Sequence, residues 1–285
     1  MAKEAEWLSD PNFPLTSQSR TMHLDIAEGE VANRVLCVGH LVRALRLTQL
    51  FDHPNRKYAN ESKRGFAVYT GTFRDVPVSI IGTGMGPPMT DFVIRECRKV
   101  VKGRMAFVRL GTCGLLQKAA QAGTMACSTS SRMVSRNPDF RPQQPETAPA
   151  YFVSKRLLPD EGLMASVTER LEACLGAENV KSGPDFTSDS FYDSQGRISS
   201  HFDDFNESLI ADLLTLEPTA MNFQMETCTM YHLASISKGS VLAAAASIGL
   251  IGRDTGDILS EADTREKEIV GGLAVLQALA TFALE

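Results

Sequence analysis

Two short stretches, far apart in the chain, carry complementary chemistry. Phe191-Tyr192-Asp193-Ser194-Gln195-Gly196-Arg197 sets an amide and a guanidinium two residues apart, after an aromatic ring. An amide donates and accepts, a guanidinium only donates, and the pair suits the edge of a planar, carbonyl-rich base. Arg109-Leu110-Gly111-Thr112-Cys113-Gly114 sets a cation, a hydroxyl and two glycines at the end of an apolar run. That set can hold an oxyanion. A base reader with an anion cradle implies an enzyme that acts on a nucleoside with phosphate.

Further residues fall in with these two stretches. Gly39 ends the apolar run Val35 to Val38, and Arg43 stands one helical turn later. Arg64 precedes another apolar run. Arg43, Arg64 and Arg109 with Thr112 are enough to bind phosphate bidentately, although any one of them alone reads as a solvated surface cation. Gly82-Thr83-Gly84-Met85-Gly86 lacks the glycine spacing of a dinucleotide-binding loop and reads as a tight turn passing close to a sugar. Glu226 can accept from two vicinal sugar hydroxyls while Met225 packs on the sugar; alone, Glu226 reads as an acid complementing a helix N-terminus. His23 alone reads as a surface imidazole, and Cys113 as a small packing residue.

These side chains need elements to hold them. The 285 residues are 43% hydrophobic and 22% charged, which allows a full core in a single α/β unit. The net charge of -5 argues against a large basic surface for nucleic acid. No apolar run approaches a membrane span, and the first residues lack the apolar stretch of a signal peptide. The six dispersed cysteines read as buried free thiols in a reducing, cytoplasmic setting. Apolar periodicity predicts strands at 35–38, 66–73, 76–82, 105–110, 123–129, 180–187, 221–223 and 240–250. It predicts helices at 41–51, 89–101, 162–175, 205–216, 226–238 and 261–284. Asn137 to Pro149, with four prolines, is a loop. The alternation predicts one three-layer α/β/α sandwich with a central mixed sheet over 23–285, preceded by an extended arm over 1–22.

In order along the chain, His23-Leu24, Gly39-x3-Arg43, Arg64 before Phe66, Thr83-Gly84-Met85-Gly86, Arg109-Leu110-Gly111-Thr112, Phe191-Tyr192-x2-Gln195-x-Arg197, Asn222-x2-Met225-Glu226 and Arg253 resemble the uridine phosphorylases. These belong to the nucleoside phosphorylase family, which includes hexameric purine phosphorylases and nucleosidases. The Gln195/Arg197 pair marks the uracil-reading branch. The resemblance implies reversible phosphorolysis of uridine to uracil and ribose 1-phosphate in pyrimidine salvage. It implies phosphate as co-substrate, no cofactor and no catalytic metal. Gly39, Arg43, Arg64, Arg109 and Thr112 would hold phosphate. His23, Met225 and Glu226 would hold ribose. Phe191, Gln195, Arg197 and Arg253 would form the base site, with Arg109, Gln195 and Arg197 carrying the catalysis. His23 and Arg64 would come from a neighbouring subunit, making a homodimer the minimum unit. His40, Gln224, Gly65 and Met89 depart from the family pattern. His40 alters the phosphate loop, Gln224 is expected to weaken one sugar contact, and Gly65 and Met89 stand where bacterial relatives bind a cation between subunits, which leaves that cation site open. The alternatives are a purine phosphorylase or nucleosidase, with Asp254 as proton donor, and a non-catalytic nucleoside-binding subunit.

Overall fold

A computed structural model describes residues 10–284. Of the arm expected over 1–22, residues 1–9 lie outside the described residues. The rest is folded back rather than extended. Leu15 bridges Thr21 across a turn, and Arg20 pairs with Asp25 and Glu30. The chain then runs β1 (Arg34–Val38), α1 (Leu41–Leu47), β2 (Tyr58–Glu61), β3 (Ala67–Phe73), β4 (Val76–Gly82), α2 (Pro87–Val100), β5 (Met105–Leu115) and β6 (Met125–Arg136). It continues β7 (Tyr151–Val153), α3 (Glu161–Leu175), β8 (Val180–Ser188), α4 (Leu209–Leu216), β9 (Asn222–Gln224), α5 (Thr227–Ile236), β10 (Val241–Gly252) and α6 (Glu261–Thr281).

Local chemistry accounts for many of these boundaries. Arg74 and Asp75 both take left-handed backbone angles, φ 51° and 61°, and form the two-residue turn whose twist suits the β3–β4 hairpin. Two prolines open α2, where a missing N–H costs nothing. Asp160 and Ser260 cap α3 and α6 by accepting from Leu163 and Asp263 backbone N–H groups. Alternation along β1 sends Leu36 and Val38 to one face and Val35 and Cys37 to the other. The first face packs beneath α1, α3 and α6 through Leu47, Val167 and Val275. The second packs beneath α2 and α5 through Val93, Met230 and Tyr231. The result is the expected three-layer α/β/α sandwich around a mixed sheet.

The sheet order is β10-β6-β8-β9-β5-β1-β4-β3-β2, with β7 on β6 and an additional β10–β5 pairing. That pairing rolls β5, β10, β6, β8 and β9 into a closed barrel, which the sequence reading did not anticipate. The strand expected to stop at Leu110 runs on through Gly111 to Leu115. Its length lets one edge of β5 serve two partners. Residues 106–109 pair with β1, and Gly114 and Leu115 pair with β9. Between them, Leu110 to Cys113 pair only with β10 on the other edge. The sheet therefore forks at the stretch proposed to hold an anion. Such a divergence leaves a crevice beyond the strand ends, where ligands of α/β proteins collect. The helix expected from Phe205 begins only at Leu209, because Phe205 takes φ 54°. The short strands β2 and β7 were not anticipated.

Candidate active site

A cavity of about 510 Å³ opens at the fork. Its lining includes Gly39, Arg43, Arg109, Thr112, Phe191, Gln195, Arg197, Met225 and Glu226. A cavity of this size is within the range that holds small ligands. Nine of the expected site residues, from four separate segments of sequence, thus face one space.

Arg109 is central to it. Its side chain leaves β5 on the same face as Gly111 and lies over that glycine, where any Cβ would collide with the guanidinium. Nη1 donates to Ser247 Oγ at 3.0 Å, and Nη2 pairs with Glu226. Glu226 also accepts from the Gly86 backbone N–H at 2.7 Å. The glycine loop therefore holds the acid proposed to bind sugar. Arg43 donates from Nε to Glu268 at 2.6 Å and from Nη1 to the Leu110 carbonyl at 3.5 Å. Burial and the nearby charge of Arg109 lower the Arg43 pKa, while Glu268 opposes that change. Two buried guanidiniums repelling each other beside a backbone fork form a receptive corner for a dianion.

The segment expected to read the base lines the same cavity. Gln195 is buried and Arg197 half-buried. The Arg197 guanidinium lies 4.2 Å from the Phe191 ring centroid, and its Nε donates to the Phe191 carbonyl at 3.0 Å. Burial lowers its pKa. Gly196 bends the loop with φ 62°, and a Cβ there would sit 2.9 Å from Ile210. Arg136 pins the loop from outside through Asp193 and Asp204, and Asn206 Nδ2 donates to the carbonyls of Asp193 and Arg197. Arg253, also expected at the base site, does not line the cavity; it packs over Gly114, with Nη2 donating to the Gly196 carbonyl at 3.3 Å.

His23 and Arg64 do not line the cavity of the chain that carries them. His23 stacks on Phe92 with centroids 3.9 Å apart, and its Nδ1 meets buried Glu96 at 2.6 Å, which fixes the ring. Arg64 is exposed. Asp254 is also exposed, pairs with Lys118 and stays out of the cavity. Cys113 lines the cavity, but burial pushes its thiol well up and keeps it protonated.

Sequence reasoning missed the residues that hold this constellation in place: Glu268, Ser247, Glu96, Arg136 and Asp185. Each is distant in sequence from its partner and sits in no motif. Glu268 itself follows Arg265-Glu266-Lys267 in the charged first part of α6, so no local pattern singles it out.

The family model of the phosphorylase superfamily matches residues 34–280, and the chain belongs to that superfamily. A solved uridine phosphorylase of the oomycete Phytophthora capsici is 36% identical, with a TM-score of 0.93 over 98% of this chain and 100% of its own. A uridine phosphorylase of Thermococcus kodakarensis is 29% identical over 227 residues, 78% of this chain and 75% of its own length. A DeoD-type purine nucleoside phosphorylase of Brevibacillus brevis is 28% identical over 223 residues, 78% of this chain and 84% of its own. Identity to the last two is nearly equal, so the residues facing the base carry the choice between them.

Proposed function

We propose that the chain is a uridine phosphorylase, a pentosyltransferase that exchanges the C1′–N bond of uridine for a C1′–O bond to phosphate, reversibly. The observation that carries the reading is that Gln195 and Arg197 share one cavity with Arg43 and Arg109. Arg43, Arg109, Thr112 and the backbone at Gly39 hold phosphate. Orientation beneath C1′ supplies the nucleophile, with no proton removal required. Glu226 accepts from the ribose hydroxyls and Met225 covers the sugar. As the bond opens, positive charge grows on the ribose and negative charge on the pyrimidine. Enzymes gain rate by stabilising such separated charge. Arg197 donates to a uracil carbonyl oxygen and Gln195 reads the adjoining carbonyl and N3–H. Cytosine offers an amino group and an unprotonated N3 at that edge and is disfavoured. No cofactor takes part.

Purine phosphorolysis is less well supported, because Asp254 is turned to Lys118 at the surface. The working unit is a homodimer with shared sites. Support comes from His23, whose ring is held by Glu96 outside its own chain's cavity, and from exposed Arg64, which pairs with no acid among the described residues. The setting is cytoplasmic; among the described residues no helix is long and apolar enough to cross a membrane. Rates of phosphorolysis with uridine, cytidine and inosine test the reading. Uridine should lead by a wide margin, and preference for inosine would reject it.

A further inference from the structure

The expectation that Gln224 weakens a sugar contact does not describe what its side chain does. Gln224 Oε1 accepts from the backbone N–H groups of Glu226 at 2.6 Å and Thr227 at 2.9 Å. Thr187 Oγ1, on the neighbouring strand β8, accepts from the Cys228 N–H at 2.8 Å. The leading N–H groups of α5 are among those a helix cannot satisfy internally. Side chains from β8 and β9 satisfy them here. Glu226 is the N-cap residue of that helix, so its backbone position is set by this anchorage.

The orientation of the Gln224 amide follows from chemistry. Backbone N–H groups only donate, so the atom facing α5 must be Oε1. Nε2 then faces β8, where it donates to Thr187 Oγ1 and to Asp185 Oδ1, the latter at 3.2 Å. Asp185 is held by hydroxyls, accepting from Ser128 Oγ at 2.5 Å and from Ser131 Oγ. Ser131 Oγ also lies 3.0 Å from Thr187 Oγ1. Asp185, Thr187, Gln224 and Glu226 are all buried. A glutamate at position 224 would set a second carboxylate against Asp185, so the glutamine here goes with the aspartate.

We propose that Asp185 and Gln224 are positioning residues for Glu226: Asp185 orients the Gln224 amide, and the amide fixes the start of α5 so that the Glu226 carboxylate meets the ribose hydroxyls. The proposal rests on the uridine phosphorylase reading. Neither residue touches the reacting atoms in this scheme. Their contribution is therefore felt through the sugar, and most by a sugar that carries both hydroxyls.

The test compares wild type, Asp185→Asn and Gln224→Met with uridine and 2′-deoxyuridine, each at saturating phosphate, and then with phosphate varied. Both variants should raise the uridine KM by about tenfold or more, the scale of one lost hydrogen bond to a charged group. They should leave the phosphate KM near wild type and shrink the preference for uridine over 2′-deoxyuridine. Gln224→Met keeps the bulk of the side chain, and it serves as the decisive variant if Asp185→Asn folds poorly. Equal losses on both nucleosides, or an unchanged uridine KM in the folded Gln224→Met variant, would overturn the proposal while the functional reading stands. Wild type that does not phosphorolyse uridine would overturn the functional reading itself.

Discussion

Gly111→Ala is the smallest change that should disable the proposed phosphate site. In the fold the Arg109 guanidinium fills the space over Gly111, and an added methyl group would overlap it. The obstructing group is the end of a flexible side chain, so β5 need not move. The guanidinium swings away instead. It then loses its bonds to Ser247 and Glu226 and its reach toward phosphate. A hydrogen bond to a charged group is worth about 1.5–3 kcal/mol, which corresponds to roughly a 10- to 150-fold loss in kcat/KM for phosphate. Uridine binding should weaken too, because Glu226 loses its buried partner. The assay is steady-state kinetics with phosphate and uridine varied in turn, alongside thermal melting. The sharper form is a double-mutant cycle with Arg109→Ala. If the methyl group acts only by displacing the guanidinium, Gly111→Ala should cost nothing further once Arg109 is gone. Additive losses in kcat/KM, or a folded Gly111→Ala enzyme with wild-type phosphate kinetics, would refute the reasoning.

Other perturbations separate the parts of the site. Arg197→Ala should lower uridine turnover by about 10- to 100-fold, from one charge-assisted bond to the leaving group, with phosphate KM little changed; kinetics with each substrate varied would show it. Arg136→Ala should raise the nucleoside KM without a large fall in melting temperature, because the guanidinium is mostly exposed yet pins Asp193. Asp185 is pushed up to about 6 from 3.8 by burial, so the native state holds that proton more tightly than the unfolded chain does. The stability it confers is complete below about pH 4 and is lost as pH rises through about 6, on the order of 3 kcal/mol in all. Denaturant titrations from pH 4 to 7 should show this slope flattened in Asp185→Asn. Mixing Arg64→Ala subunits with Arg197→Ala subunits should restore activity if each site draws Arg64 from the partner; mixed dimers that form and stay inactive would remove the shared site.

The legible parts of the molecule were those written in local pattern. The runs at Val35 to Val38 and Ser240 to Leu250 alternate or stay apolar as buried strands must, and the runs at 66–73 and 76–82 leave only Arg74-Asp75 to turn between them. Site residues were legible where short motifs keep cation, hydroxyl and glycine together. Gly111 was misread as a strand end because a glycine after an apolar run usually stops one. Here it makes room for a side chain two residues back, a relation visible only once the strand is extended. The barrel was hidden because closure depends on β5 and β10 pairing along their whole lengths, which no local pattern records. Glu268 beneath Arg43, and Asp185 behind Gln224, were hidden for the same reason. Each is an ordinary acid until the fold brings its partner from elsewhere in the chain, 225 residues away for Glu268 and 39 for Asp185.

The most direct measurement is release of uracil from uridine by the purified protein, with and without inorganic phosphate, with the sugar product identified. The sharing of one cavity by Arg43, Arg109 and Thr112 with Gln195 and Arg197 requires phosphate-dependent release, with one ribose 1-phosphate formed for each uracil. Release of uracil with free ribose at the same rate in the absence of phosphate would contradict it.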